Sequence, residues 1–580
     1  MRSSLPLGLL AAIAVIGCVQ STSPAAEDIR EQTHRRRPVA IVEVDGLAYV
    51  ANRRSGSISE IDPSAVRVIR EQRVGTGLAD LDVMPDDKVL LAIDEDRLLI
   101  IDRSRLEVVD QLALPASPVD LCLIGPRRCS IASLWARKLS IVSFERNARG
   151  DAGSPAAAVM KTIELPFAPR KQILVDDSHL VVADAFGGQL AVIDLNQQTL
   201  AAVRSLKGHN IRGIAVSPNQ RELLVTHQIL DSKSTTTHES IFWGTLMSNV
   251  LHSIPLRELL SGETETAITG YLYPLGRPSN GTGDPADVLV TDGGQTVVAL
   301  SGVDEVALRA RPLEPFVRRN VGRLPAALAA SASGGMVYIA NTLDDSITLL
   351  DLSEMQIAGS VALGTQPELS RIDRGESLFY DARLSLDSWF SCHSCHTDGH
   401  TNGLLSDNLS DGHFGAPKRI LSLRGTADTG PWAWSGSVGK LESQIRNSIE
   451  LTMLGSDVTD EQIGALADFV RQLGTIPARR HADRAAVRRG KEFFEQRECA
   501  NCHAPPTFTS ASGYDVGLAD EQGTNRFNPP SLRGVGHRNR LFHDNRAANL
   551  REVFLKFGHG HDSAVDSAEI DDLVAFLKSL

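Results

Sequence analysis

The sequence predicts a multidomain chain of two unlike parts, an all-β propeller of seven blades followed by an all-α module built twice over. Three observations carry this. Apolar residues alternate with a period of two from about residue 39 to residue 365, in units of roughly forty residues. Beyond residue 364 the apolar period lengthens to about three and a half, and ten of the sixteen histidines lie beyond residue 390. The pattern Cys-x-x-Cys-His then occurs twice, as Cys392-His393-Ser394-Cys395-His396 and as Cys499-Ala500-Asn501-Cys502-His503. At 580 residues the chain also exceeds what one hydrophobic core organises.

In the repeat region the unit is a strand, a tight polar turn, a second strand closed by Ile-Asp or Leu-Asp, and a third strand. Clear copies are Ala48 to Asn52 with Ile61-Asp62, Val89 to Ala92 with Ile101-Asp102, Leu180 to Asp184 with Ile193-Asp194, and Val337 to Asn341 with Leu350-Asp351. Weaker copies begin near Pro118, Ile211 and Ala286, which makes seven, with eight blades or a pair of open sandwiches as the alternatives. Tyr49-Val50-Ala51-Asn52 and its relatives resemble the YVTN-type β-propeller repeat, a resemblance that implies a fold and no activity. Residues 232–283, which include Trp243, exceed what a blade needs and read as an insertion reaching a neighbouring domain or as a surface loop. Cys122 and Cys129 flank a Gly125-Pro126 turn, where a hairpin is expected to pair them as a disulfide, two free thiols being the alternative.

The N-terminal end reads as an address. Arg2 precedes an apolar stretch from Leu5 to Gly17, too short to span a bilayer and suited to a signal peptide over residues 1–18. Val15-Ile16-Gly17-Cys18 resembles a bacterial lipobox, which implies a lipid anchor at Cys18, a linker over 19–38, and a place in the cell envelope, on its periplasmic side or at its surface. The net charge of −12 argues against a nucleic-acid partner and suits a positively charged redox partner.

Each Cys-x-x-Cys-His reads as the attachment site of one c-type haem. Two thiols in one turn, Cys392 with Cys395 and Cys499 with Cys502, join the haem vinyl groups, and the adjacent imidazoles, His396 and His503, fall beneath the irons. A redox dithiol or a zinc site does not require the histidine in both copies. Amphipathic helices are expected over 461–473 and 569–580, each following a haem motif by a similar distance, so two all-α haem domains span 366–475 and 476–580.

Arg374-Gly375-Glu376-Ser377-Leu378-Phe379, the run to Ser391-Cys392, and in the second half Gly490-Lys491-Glu492-Phe493-Phe494, Pro530-Ser531-Leu532-Arg533 and Phe542-His543-Asp544 together resemble the bacterial di-haem cytochrome c peroxidases and the related MauG enzymes. The resemblance implies a displaceable histidine on the N-terminal haem, at His413 with His400 as its rival. It places Phe557 where the C-terminal haem has a Met or Tyr ligand, so His559 is expected to bind there, with His561 just beyond. It gives Trp434, beside Trp432, the role of electron relay, and Gln444 a place in the peroxide pocket. It puts Leu454 where a catalytic Glu stands, which leaves Glu450, one helical turn away, as the substitute acid. Calcium between the haems is a further possibility the family raises. The function implied is a redox enzyme that passes electrons between two haems to reduce hydrogen peroxide or oxidise a substrate, a protein included, with a small cytochrome or cupredoxin as electron partner. A non-catalytic electron carrier with two six-coordinate haems, and a surface protein that binds through its propeller, are the alternatives.

Overall fold

The computed structural model describes residues 34–145, 156–261, 268–479, 483–560 and 566–580. Cys18 with the expected leader and linker up to residue 33, and His561, lie outside these residues.

Seven four-stranded antiparallel sheets, each in simple meander order, follow one another from Pro38 to Ala362. Their inner strands neighbour in sequence, and the last, Pro325–Ala330, contacts the first, Pro38–Val44, so the ring closes as a seven-bladed propeller. The core lies between blades, where buried Val, Ile, Leu and Ala from adjacent sheets interleave. Inner-strand aspartates stitch neighbours together: Asp80 accepts from the Leu121 N–H (2.8 Å), Asp120 from Gln172 (2.9 Å) and Asp287 from Leu328 (2.9 Å).

Cys122 and Cys129 are both free thiols, which corrects the expected disulfide. Strands Pro118–Gly125 and Arg128–Ser133 do pair as a hairpin, but Cys122 faces Ser130 and Cys129 faces Leu123. That one-residue offset sends the thiols to opposite faces of the sheet, because successive side chains alternate.

The C-terminal region contains two helical units. In the first, helix Arg371–Phe379 packs on Asp460–Gln472; in the second, Arg484–Gln496 packs on Ser567–Lys578. Both crossings rest on a glycine, Gly375 against the Ala465 carbonyl and Gly490 against the Asp572 carbonyl, with no room for a Cβ at either. Capping boxes start three of these helices, Ser370 with Asp373, Thr459 with Gln462, and Asp566 with Glu569. Long loops fill the rest, with two small ribbons, Leu405–Ser406 with Lys418–Arg419 and Tyr514–Asp515 with Arg526–Phe527, that an all-α reading does not anticipate.

The long excursion in blade five reaches the first helical unit. Thr235 bridges Asp407, and Gly244 and Gly276 press on the Trp389 indole so closely that a side chain at either would collide with it.

Candidate functional site

Each Cys-x-x-Cys-His opens onto its own cavity. The first, of about 280 Å³, is bordered by Cys392, Cys395 and His396; the second, of about 250 Å³, by Cys499, Cys502 and His503. The first motif is a single helical turn, Cys392–Cys395, whose N-cap Ser391 accepts from the His393 N–H (3.0 Å) while Ser394 Oγ accepts from the Ser391 N–H (3.0 Å). The turn brings both thiols and the following imidazole to one wall.

Both proximal rings are held in the tautomer that an iron requires. His396 Nδ1–H donates to the Leu421 carbonyl (2.8 Å) and His503 Nδ1–H to the Phe508 carbonyl (3.2 Å), which leaves each Nε2 lone pair for metal. Burial lowers each of these imidazoles to about 4, so both are neutral at physiological pH.

The cavities differ in their second imidazole. In the C-terminal one, His559 stands across from His503 with ring centroids 6.4 Å apart. Two imidazoles on opposite faces of one metal, each bonded at about 2 Å, have centroids roughly 6 Å apart, so this pair fits one iron. Phe557 does not border the cavity and packs instead on Phe542 (5.4 Å).

Among the described residues, His396 is the one histidine bordering the N-terminal cavity. His413 stands outside it, in a loop turned by positive-φ Gly412 and Gly415 and held where Asp407 accepts the Gly415 N–H (2.9 Å). His400 points to the propeller, with its ring 4.8 Å from Phe186 and 5.4 Å from Trp135 and Nδ1 bonded to Ser422 Oγ (3.0 Å).

Gln444 and Trp432 border the N-terminal cavity, where Gln444 Oε1 and Trp432 Nε1 are buried without a hydrogen-bond partner. Among the described residues no carboxylate lines it. Glu450 is exposed and paired with Arg446 (2.9 Å), and Leu454 lies apart from the lining. Helix Leu441–Asn447 widens into a π-turn over Ser448–Thr452, an irregularity frequent beside functional sites.

Trp434 borders both cavities. Its indole N–H donates to the Arg419 carbonyl (2.8 Å), and its ring lies 6.4 Å from Phe527 and 6.3 Å from His543, which stack on each other at 4.2 Å. Nothing in the sequence marks Phe527, or Arg538, which also borders both cavities, as a site residue. His543 alone carried a signal, as the centre of Phe542-His543-Asp544.

The propeller grips the first haem-attachment turn. Asp284 accepts from Ser394 Oγ (2.8 Å), from Ser391 Oγ and from His393 Nδ1 (3.2 Å). His209 Nε2–H donates to the Ser394 carbonyl (3.1 Å) and Gln228 to Ser394 Oγ (3.2 Å). Burial alone would raise the Asp284 carboxyl, but His393 and the two serine hydroxyls outweigh it and hold it below its ordinary value.

Among the described residues no group of three or more His, Cys, Asp or Glu side chains is arranged to hold a bare metal ion, so calcium finds no support. Between the halves, Asp411 and Asp520 are instead met by the Lys418 ammonium (3.1 and 3.0 Å). No helix among the described residues is long and apolar enough to cross a membrane.

Comparison with known proteins agrees with this architecture. Residues 370–488 match the model of the di-haem cytochrome c peroxidase family, and residues 487–580 that of cytochrome c. The methylamine utilization protein MauG of Methylorubrum extorquens is 27% identical over 330 residues, covering 44% of this chain and 93% of that protein. Hydrazine synthase subunit gamma of Kuenenia stuttgartiensis is 26% identical over 270 residues (36% and 76%), and the cytochrome c551 peroxidase of Nitrosomonas europaea 25% over 312 residues (42% and 92%). Residues 370–580 of this chain are thus similar to the di-haem cytochrome c peroxidases and MauG proteins, and they follow a seven-bladed β-propeller.

Proposed function

We propose that this protein is a di-haem redox enzyme of the bacterial cell envelope, with a reactive N-terminal haem and an electron-transferring C-terminal haem, that uses hydrogen peroxide as oxidant. The observation that carries the reading is the inequality of the two cavities, one offering two imidazoles to its iron and the other a single one. Bound haem supplies redox-active iron to both sites, and an iron with one protein ligand can admit a peroxide.

The chain's own residues would do the rest. His396 holds the N-terminal haem, and His503 with His559 the C-terminal one. Trp432 Nε1–H can donate to, and Gln444 Oε1 accept from, an oxygen species in the N-terminal cavity, since both atoms are buried there without partners. Trp434, on the border of both cavities, is the relay between them. With no carboxylate in the N-terminal lining, proton delivery falls to water rather than to Glu450. A small cytochrome or cupredoxin is the proposed electron partner, and lipidation at Cys18 the proposed anchor.

Electron paramagnetic resonance of the ferric holoprotein tests the assignment. One high-spin and one low-spin haem are expected, the high-spin signal alone responding to peroxide. His559→Gly is expected to turn the second haem high-spin, whereas His413→Gly leaves the spectrum unchanged. Two low-spin haems in the unaltered protein, unmoved by peroxide in the ferric and half-reduced states, would instead make it an electron carrier.

A further inference from the structure

A third cavity, of about 410 Å³, lies where the propeller meets both haem units. The propeller contributes Trp135, Arg137, Asp184 and Phe186 to its wall, the first haem unit His400 and Asn402, and the second His537 and Arg540. The aromatic side is well built: Trp135 stacks on Phe186 at 5.3 Å and meets the edges of His400 (5.4 Å) and His537 (5.3 Å).

The polar side is charged and incompletely matched. Arg137 is only 7% exposed, yet among the described residues its guanidinium bonds only to carbonyls, those of His537 (2.8 Å) and Pro166 (3.4 Å), and no carboxylate lies within ion-pair reach of it. Its Nε–H is buried without a partner, as is Nδ2 of Asn402, which is 6% exposed. A buried cation with no counter-ion in contact is costly unless an anion meets it. Asp184, on the same wall, lies near enough to offset part of the Arg137 charge without pairing with it and accepts the Phe186 N–H (3.0 Å), and Asp544 is met by Arg546. Arg419 borders this cavity too, but it also borders the N-terminal haem cavity, so the argument rests on Arg137, which borders neither haem cavity.

We propose that this junction is a binding site for a small organic carboxylate, its charge met by Arg137, one oxygen by the Asn402 amide, and its carbon body by the Trp135 and Phe186 rings. Guanidinium donors in a fixed fork suit a planar carboxylate, and apolar walls beside them favour an organic one over an inorganic anion. A ligand here would touch the propeller and both haem units at once, so its binding would also stabilise their association.

Isothermal titration of the holoprotein with benzoate and with acetate tests this. Saturable binding is expected for both, tighter for benzoate, together with a rise in melting temperature. Arg137→Gln is expected to weaken benzoate binding at least tenfold. Asn402→Asp, which keeps the side-chain volume but sets a carboxylate against the ligand, is expected to do the same while haem content and visible spectrum stay unchanged. Failure of both carboxylates to bind, or affinity that neither substitution alters, would overturn the proposal.

Discussion

At the scale of single residues, one aspartate explains much of the repeat. Asp62, Asp102, Asp194 and Asp351 each end a third strand and accept a backbone N–H from three residues on, at 3.1, 3.0, 2.9 and 3.1 Å. The residue one further on, Val66, Leu106, Gln198 or Met355, then takes positive φ, so the carboxylate fixes a turn its side chains alone would not favour. That is why Ile-Asp and Leu-Asp recur in the sequence. Trp434 is the residue on which the proposed electron path depends. Trp434→Phe keeps a ring against Phe527 and His543 but removes the oxidisable indole and its hydrogen bond to Arg419, a loss of about 1 kcal/mol in stability. Both haems are expected to remain attached with unchanged spectra. Stopped-flow measurement should then show electron equilibration between them slowed by about tenfold or more, equivalent to about 1.4 kcal/mol in barrier. An unchanged rate would remove Trp434 from the path.

At the scale of elements, the two haem units share one device. Gly375 and Gly490 sit at equivalent helix crossings, each against the carbonyl of a partner helix. Gly375→Ala forces that pair of helices apart, and overpacking of this kind costs about 1–3 kcal/mol. Thermal unfolding followed at the Soret band should fall in midpoint, with Gly490→Ala giving a matching fall for the second unit; no change in either would mean the crossing yields without cost. The helices themselves were legible in sequence. The expected 461–473 and 569–580 fall within two residues of Asp460–Gln472 and Ser567–Lys578, because amphipathic period and capping are local signals. Strand register was less so. The turn between Cys122 and Cys129 could be read, but whether it paired them hung on a single residue of offset, which only the surrounding blades determine.

At the scale of the whole molecule, what the sequence concealed was the joining of its parts. The Cys-x-x-Cys-His turns announce two haems, yet nothing near residue 284 indicates that Asp284 anchors Ser391 and Ser394, or that Trp135 wedges between His400 and His537, since these contacts span a hundred to four hundred residues. The same holds where the start of the propeller meets the start of the haem module. Arg35 (3.3 Å), Arg37 (3.4 Å) and Arg54 converge on Asp373 in the first haem-unit helix, and Arg37 also meets Glu376. Burial alone would raise the Asp373 carboxyl, but the Ser370 hydroxyl and Arg54 outweigh it and bring it to about 2. The unfolded value is about 3.9, so the folded state binds its proton less readily. The contribution is therefore complete above about pH 4 and is lost as pH falls toward 2. Asp373→Asn removes the charge that the three arginines share. Its melting temperature should lie below that of the parent protein at pH 7, and calorimetry at pH 3 should find the gap narrowed, because the parent is by then losing the same interaction. A gap of equal size at both pH values would mean that the charge of Asp373 does not hold propeller and haem module together.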